Sequence, residues 1–207
     1  MATRKPGMSS KATWSLPAPL EAPQVIPTSH EVVLQQLLLS IFGNGVWDDS
    51  VQQTAARWIK AMNEFKPETD MDFKVTTFEA KVNQLIIVSN IEFSSLCAHH
   101  LFPFIGVAHV GYIPNKLQIG LSKIPRIVHH FATRPQTQEK LTSDVASFLK
   151  KKLEAMGVAV VIESQHTCMS ARGVREHNGI MRTSEMRGVF LTASEAREEF
   201  LQLIRSK

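Results

Sequence analysis

The sequence has only two cysteines among its 207 residues, and no apolar run comes near the ~20 residues that a helix needs to cross a bilayer. No solenoid-type repeat is visible either. Nothing marks the chain as secreted, so reduced cysteines and a cytoplasmic location are expected. These absences argue against a membrane protein.

Neither positive nor negative charge is in large excess. The formal net charge is only +4, and there is no long basic run. No stacking aromatic residues accompany the scattered basic ones, which argues against a nucleic-acid-binding protein. A mildly basic chain suits an anionic small molecule. The length allows one domain with a full core, or one domain plus a small extension.

The pattern along the chain divides it into three parts. Residues 1–27 hold five of the ten prolines and little apolar surface, which predicts a disordered basic tail. Residues 28–72 predict two helices, of about 28–42 and 50–65. Residues 73–207 predict strands at 85–93, 102–113, 158–164 and 188–192. Helices are predicted after the second and the last of these strands, and a polar, arginine-rich loop before the last. The predicted class is therefore α+β.

Both cysteines stand next to histidines. Cys97 and His100 have C-x-x-H spacing, and Cys168 follows a strand that also delivers His166. Two thiolates and one imidazole would leave one tetrahedral position of Zn²⁺ open, as in catalytic zinc sites. His99 and His166 would remain as proton carriers. Two alternatives stay open from spacing alone: inert buried cysteines, or a disulfide.

Fixed cations accompany these residues along the chain. Lys123, Arg126, Arg172 and Arg175 lie near predicted strand ends and helix starts. Arginine binds phosphate oxygens in a bidentate manner, so a phosphate ester or nucleotide substrate fits a site that activates water. Pattern alone does not name the base, the bond or the products.

Four ordered blocks resemble the signature of a known family. They are C-A-H-H at 97–100, I-G-L-S-K-I-x-R at 119–126, R-P-Q-x-Q-E-x-L-T at 134–142 and H-x-C-M-x-x-R-G at 166–173. Together they resemble GTP cyclohydrolase I, and the resemblance covers roughly residues 30–205. It implies a tunnelling fold, in which strands from several subunits close a β-barrel with helices packed outside.

The resemblance also implies an activity and an assembly. Members convert GTP and water to 7,8-dihydroneopterin triphosphate and formate. They form a decamer of two face-to-face pentamers, with sites at subunit interfaces. Zinc, held here by Cys97, His100 and Cys168, would activate the water that attacks C8 of guanine. His166 would protonate the imidazole ring nitrogen of guanine, and His99 would act on the ribose ring oxygen.

The remaining implied roles concern substrate binding. Glu139 would accept hydrogen bonds from the guanine edge, with Gln138 beside it. The residues implied for the triphosphate are Ser122, Lys123, Arg126 and Arg172. Arg57 and Lys60, three apart on the second predicted helix, match a family pair, although spacing alone would indicate a solvated face.

The sequence departs from the family at positions that matter. Ala98 replaces the usual glutamate beside the first metal ligand, so a carboxylate that could orient a ligand is missing. Glu185 and Arg187 interrupt a run that is usually rich in Thr and Ser. The alternative function is a non-catalytic zinc-binding relative that acts as an oligomeric partner or regulator. Other enzymes of this fold lack the Cys/His/Cys set, which argues against them.

Overall fold

A computed structural model describes residues 29–43, 53–67 and 75–205 of the chain. The described residues fall into two units, divided between Arg57 and Trp58. The boundaries expected from the sequence, after residues 27 and 72, lie outside the described ranges. The tail at 1–27, the helical region at 28–72 and the catalytic domain at 73–207 therefore stay predictions.

Two helices precede the sheet in the chain. Helix α1 (His30–Phe42) begins after Ser29, whose hydroxyl accepts a hydrogen bond from the Val32 amide at 3.4 Å. Apolar residues such as Val33 and Leu37 recur along α1, but none of the residues of α1 is buried. In α2 (Thr54–Asn63), Ala55 is buried. Both helices are shorter than the sequence pattern predicts.

The remaining elements form a five-stranded sheet, a separate two-stranded sheet and flanking helices. The strands are β1 (Thr77–Glu79), β2 (Ile86–Cys97), β3 (Pro103–Ile113), β4 (Leu117–Ile119), β5 (Pro135–Gln136), β6 (Gly157–His166) and β7 (Met181–Gly188). The helices are α3 (Lys123–Ala132), α4 (Gln138–Leu153), α5 (Thr167–Ser170), α6 (Val189–Thr192) and α7 (Ser194–Arg205). The α+β class is confirmed.

A five-stranded sheet has the order β5-β2-β3-β6-β7, and β1 pairs separately with β4. The pairs β2–β3, β3–β6 and β6–β7 are antiparallel, whereas the short strand β5 is parallel to β2. Strand β6 is apolar at consecutive positions because both of its faces are covered. Val158, Val160 and Ile162 join the larger core, and Ala159 and Val161 join a second cluster with Phe190 and Phe200.

Helices α3 and α4 pack on the sheet, α3 against β2 and α4 against β6 and β7. Their buried faces belong to the larger core. Residues of that face are Ile124, Ile127, Val128, Leu141, Val145 and Leu149. Helix α4 begins after Thr137, whose hydroxyl accepts a hydrogen bond from the Lys140 amide at 3.3 Å. This places Gln138 and Glu139 at the start of α4, next to the sheet.

The strand predicted at residues 188–192 is wrong. Strand β7 ends at Gly188, and the following residues form the short helix α6. Gly188 has φ +62°, and a Cβ there would lie 2.0 Å from the Met156 carbonyl oxygen. The chain therefore leaves the sheet at this glycine, and the apolar run that follows buries Phe190 against Phe200, with ring centroids 5.9 Å apart.

Across the described ranges, no helix combines the length and the apolar character that a membrane crossing requires.

Candidate active site

The candidate metal ligands lie where three chain segments meet. Strand β2 ends at Cys97, and the turn that follows returns to β3, closed by hydrogen bonds from the Cys97 amide to the Phe102 carbonyl (2.8 Å) and from the Leu101 amide to the Cys97 carbonyl (2.8 Å). Strand β6 ends at His166, directly before α5. Because β3 pairs with both β2 and β6, the ends of β2 and β6 come together.

The structure brings Cys97, His100 and Cys168 into one cluster. One ligand atom from each lies within 4.8 Å of the others. Both cysteines are free thiols, so the disulfide alternative does not hold in this structure. Two thiols and one imidazole are the donor types that zinc selects, and three protein ligands leave a tetrahedral site one position short. These three residues could hold a metal ion.

The two sulfur atoms influence each other. Burial raises the pKa of the Cys168 thiol, and a hydrogen bond with Cys97 raises that pKa further, while the charge of Arg172 opposes both effects. A bound cation would stabilise the thiolates directly, as metal binding to cysteine requires loss of the thiol proton. Arg172 also reaches the cluster, since its Nη1 lies 3.3 Å from His100 Nε2.

His99 lies beside the cluster without belonging to it. Its Nδ1 is 3.6 Å from the Cys97 Sγ, and its ring centroid is 6.4 Å from that of His100. The side chain is exposed in the single chain. Two adjacent histidines therefore occupy different positions relative to the sulfur atoms.

His166 is held by two contacts. Its ring stacks on Phe104 with centroids 4.6 Å apart, and its Nε2 lies 3.0 Å from Gln138 Oε1. Burial lowers the pKa of His166, and the negative charge of Glu139 partly offsets that effect. A neutral imidazole at neutral pH is therefore favoured, with a carboxylate close enough to stabilise the protonated form.

A cavity of about 440 Å³ connects these groups. The three candidate ligands line it, together with His99, His166 and Glu139. Gln138 also borders the cavity, although its side chain is fully buried and hydrogen-bonded within the chain. A cavity with convergent imidazoles, thiols and one carboxylate can bind a polar ring and exchange protons with it.

The structure does not place every expected substrate contact at this cavity. Ser122, Lys123 and Arg126 lie at the start of α3 and are not among the residues that line it. Ser122 occupies the position before the helix, but its side chain makes no capping hydrogen bond. Arg57 and Lys60 lie one turn apart on α2, and both are exposed.

The sequence pattern does not identify three residues that surround His166 and its partner Gln138. Phe104 supports the ring, while Ser164 and Thr183 hydrogen-bond to Gln138. Ser164 and His166 are two apart on β6 and so share a face, which is a signal that strand periodicity could have supplied. Thr183 lay in a segment expected to be a loop, so no pattern pointed to it.

Comparison with known proteins gives one consistent result. The family model described as GTP cyclohydrolase I matches residues 32–205. A protein named GTP cyclohydrolase 1 from Hydrogenobaculum sp. (strain Y04AAS1) is 45% identical over 170 residues, which is 82% of this chain and 93% of that protein. The protein of the same name from Aquifex aeolicus is 44% identical, covering 80% and 92%.

Two further comparisons cover a smaller share of this chain. A GTP cyclohydrolase 1 from Campylobacter jejuni (strain 81-176) is 53% identical over 129 residues, covering 62% of this chain and 68% of that protein. Among solved structures, the archaeosine synthase QueF-Like in the apo form aligns with a TM-score of 0.44 and 17% identity, over 52% of this chain and 97% of that one.

Proposed function

We propose that this chain, which belongs to the GTP cyclohydrolase I family, hydrolyses and rearranges GTP to 7,8-dihydroneopterin triphosphate and formate. One observation carries the proposal: Cys97, His100 and Cys168 converge at a cavity that His99, His166 and Glu139 also line. Metal ligands, proton carriers and a purine-binding carboxylate are the groups that this reaction needs in one place.

Zinc is the proposed cofactor, with Cys97, His100 and Cys168 as its ligands. The donor set fits, because two thiolates and one imidazole favour zinc over Mg²⁺ or Ca²⁺, which prefer oxygen ligands. Zinc, when bound, would supply the Lewis acidity that makes water nucleophilic near neutral pH. Every other step depends on side chains of this chain.

The two histidines divide the proton transfers. His166 protonates the imidazole nitrogen of guanine, which weakens the ring bond at C8 and helps the ring to open. His99 acts on the ribose ring oxygen, which allows the sugar to open and rearrange before the new ring closes. The observed positions support a proton-carrying role for both residues, since both imidazoles border the cavity while the metal cluster includes neither.

Glu139 recognises the guanine edge. Its carboxylate lies at the cavity, at the exposed start of α4, where it can accept two N–H hydrogen bonds. A site that pairs with donor groups in this way rejects purines that lack them. Gln138 is expected beside Glu139 as a second substrate contact, but its side chain is fully buried and hydrogen-bonded within the chain.

The triphosphate would be bound by Ser122, Lys123, Arg126 and Arg172, with Arg57 and Lys60 as further cations. Arg172 contacts His100, whereas the α3 residues do not line the cavity of the single chain. That separation supports the expectation that sites form between subunits, where one copy adds its α3 residues to the cavity of another. The proposed assembly is a decamer of two pentamers with the strands in a tunnelling-fold barrel.

One assay tests the function. Purified, zinc-loaded protein is incubated with GTP, and both formate and the fluorescence of the oxidised pterin are measured. Turnover is expected. Absence of both products with zinc fully bound would overturn the proposal and favour the alternative, a zinc-binding partner or regulator without catalysis. Ala98 is the feature that favours this alternative, while the intact His99, His166 and Glu139 oppose it.

The variant Cys168→Ser tests whether Cys168 is the third ligand of the metal site. We expect it to lose zinc and turnover together, because serine is a poor zinc ligand at neutral pH. Ser170→Ala, on the same short helix, is the control that should keep both. Full zinc occupancy in Cys168→Ser would show that the third ligand is another residue.

A further inference from the structure

Gln138 is fully buried at the start of α4, and both ends of its amide make hydrogen bonds. Its Nε2 faces the carbonyl oxygens of Ile162 (3.0 Å) and Met181 (3.2 Å). Backbone carbonyls only accept hydrogen bonds, so the atom facing them must be the amide nitrogen. The side chain therefore cannot be flipped without setting oxygen against oxygen.

A pair of hydroxyl groups reinforces this orientation. Thr142 Oγ1 donates its only hydrogen to the backbone carbonyl oxygen of Gln138 at 2.7 Å. Thr183 Oγ1, 2.7 Å from Thr142 Oγ1, must then donate to it. Thr183 has no hydrogen left for Gln138, so at 3.1 Å it accepts from Nε2. Three acceptors thus face one amide nitrogen.

The opposite end of the amide is consequently an oxygen. Gln138 Oε1 accepts from Ser164 Oγ at 2.6 Å and lies 3.0 Å from His166 Nε2. Because Oε1 can only accept, His166 Nε2 must carry a hydrogen. The stack on Phe104 holds the plane of the imidazole, and the bond to Gln138 sets its rotation within that plane.

We propose that Gln138 is a positioning residue, which holds neutral His166 in the tautomer with hydrogen on Nε2 and leaves Nδ1 as the nitrogen that exchanges protons with the substrate. The proposal rests on the function proposed above, in which His166 protonates guanine. It changes the expected role of Gln138, which acts through His166 and not by touching the guanine. Glu139 then carries the recognition of the guanine edge.

The proton transfer balances on these atoms. In the imidazolium form both ring nitrogens carry hydrogen. When the Nδ1–H bond breaks, its electron pair stays on Nδ1, and the proton forms an N–H bond on the guanine imidazole nitrogen. The hydrogen on Nε2 remains with Gln138 throughout. The water that adds to C8 releases one proton to the solvent, and uptake of one proton from the solvent restores Nδ1–H for the next turnover.

The tautomer can be observed directly. The full-length, zinc-loaded protein is labelled with ¹⁵N-histidine, and the His166 ring signals are assigned with His166→Gln. Protonated and unprotonated ring nitrogens give well-separated ¹⁵N shifts, and the neutral wild-type ring should show hydrogen on Nε2. In Gln138→Met, which keeps the length but removes the acceptor, we expect a mixture of tautomers.

Kinetics separate positioning from substrate binding. A wrong tautomer at a catalytic histidine removes much of the benefit of general acid catalysis, so kcat of Gln138→Met should fall by about 10²-fold. KM for GTP should stay within about twofold, because no ground-state contact is lost. A raised KM with unchanged kcat and an unchanged tautomer would overturn the proposal and make Gln138 a guanine ligand.

A milder pair of variants covers the case in which Gln138→Met does not fold. Thr183→Val removes one of the three acceptors, while Thr183→Ser keeps the hydroxyl as the control. Only Thr183→Val should give a mixture of tautomers at His166 and lower kcat, by about threefold to tenfold. An unchanged tautomer in Thr183→Val, or wild-type hydrogen on Nδ1, refutes the assignment. The tautomer is measured without GTP, so a wild-type protein that fails to turn over GTP refutes only the proposed function.

Discussion

His166 lies flat against Phe104, with an angle of 2° between the ring planes. The two residues are direct partners across the β3–β6 ladder. Phe104 is fully buried and meets Phe93 edge to face, with centroids 5.9 Å apart. The proposed proton carrier His166 therefore packs on a residue of the hydrophobic core, which limits the motion of its ring.

The variant Phe104→Leu should separate the effect of the ring stack on catalysis from the effect of Phe104 on the stability of the core. We expect kcat to fall by about tenfold, because the imidazole loses the surface that holds its plane. The free energy of unfolding should fall by about 1–2 kcal/mol, less than for a change to alanine. Phe93→Leu is the control, with a similar loss of stability and an unchanged kcat. Equal kcat values in both variants would contradict the role of the stack.

The neighbouring histidines give a test of their separate roles. His100→Ala should lose zinc, because two thiolates alone hold the metal weakly. His99→Ala should keep zinc at full occupancy and still lose turnover by about 10²-fold or more, as expected for a proton carrier. Zinc content by atomic absorption and formate release are the measurements. Loss of zinc from His99→Ala would place that imidazole among the ligands.

Ala98 offers a test of the missing carboxylate. Groups that orient metal ligands typically contribute about 10- to 100-fold to metal affinity. Ala98→Glu should therefore raise zinc affinity by about tenfold, measured by competition with a chelator. Ala98→Gln has the same size without the charge and should give a smaller gain. The same affinity in all three proteins would mean that this position does not influence the metal.

The buried His109 on β3 predicts a dependence of stability on pH. Burial lowers its pKa from the ordinary 6.5, and the charge of Glu163 opposes this only in part. The folded state thus binds fewer protons than the unfolded state between the folded pKa and about 6.5, so the free energy of unfolding falls as the pH drops through that window. His166 acts in the same direction.

Urea denaturation at about pH 8 and pH 5 measures this effect. His109→Gln keeps an acceptor for the Asn90 amide, which lies 3.4 Å from Nδ1. The variant should lose less stability than the wild type between the two pH values. Parallel pH profiles would show that His109 is not responsible for the decrease.

Much of this arrangement could be predicted from local pattern. The apolar runs at 85–93 and 102–113 predicted β2 and β3, which the structure extends to Cys97 and begins at Pro103. The spacing of Cys97 and His100 predicted two metal ligands from one turn, and Cys168, predicted as the third ligand, lies in the same cluster. The strands and the turn depend on residues that are close together in the sequence, so local pattern is enough to predict them.

The remainder depends on pairing between distant segments. The role of Gln138 follows from the register of β6 and β7, which no local pattern reveals. Residues 181–187 are mostly polar, which predicts a loop, yet they form a strand. This strand has only β6 as a neighbour among the described strands, and an edge strand can hold polar residues. The run at 189–192 has strand-like composition, yet the positive φ of Gly188 directs it into α6.

The short strand β5 pairs in parallel with the end of β2, matching Cys97 with Gln136. The Ala98 amide also donates to the Gln136 carbonyl oxygen at 3.0 Å. Main-chain hydrogen bonds thus connect the turn of the candidate metal ligands Cys97 and His100 to the segment that leads into Glu139. Since the exposed side chain at 98 takes no part in those bonds, a substitution there can alter the proposed metal site without breaking the main-chain link to the segment before Glu139.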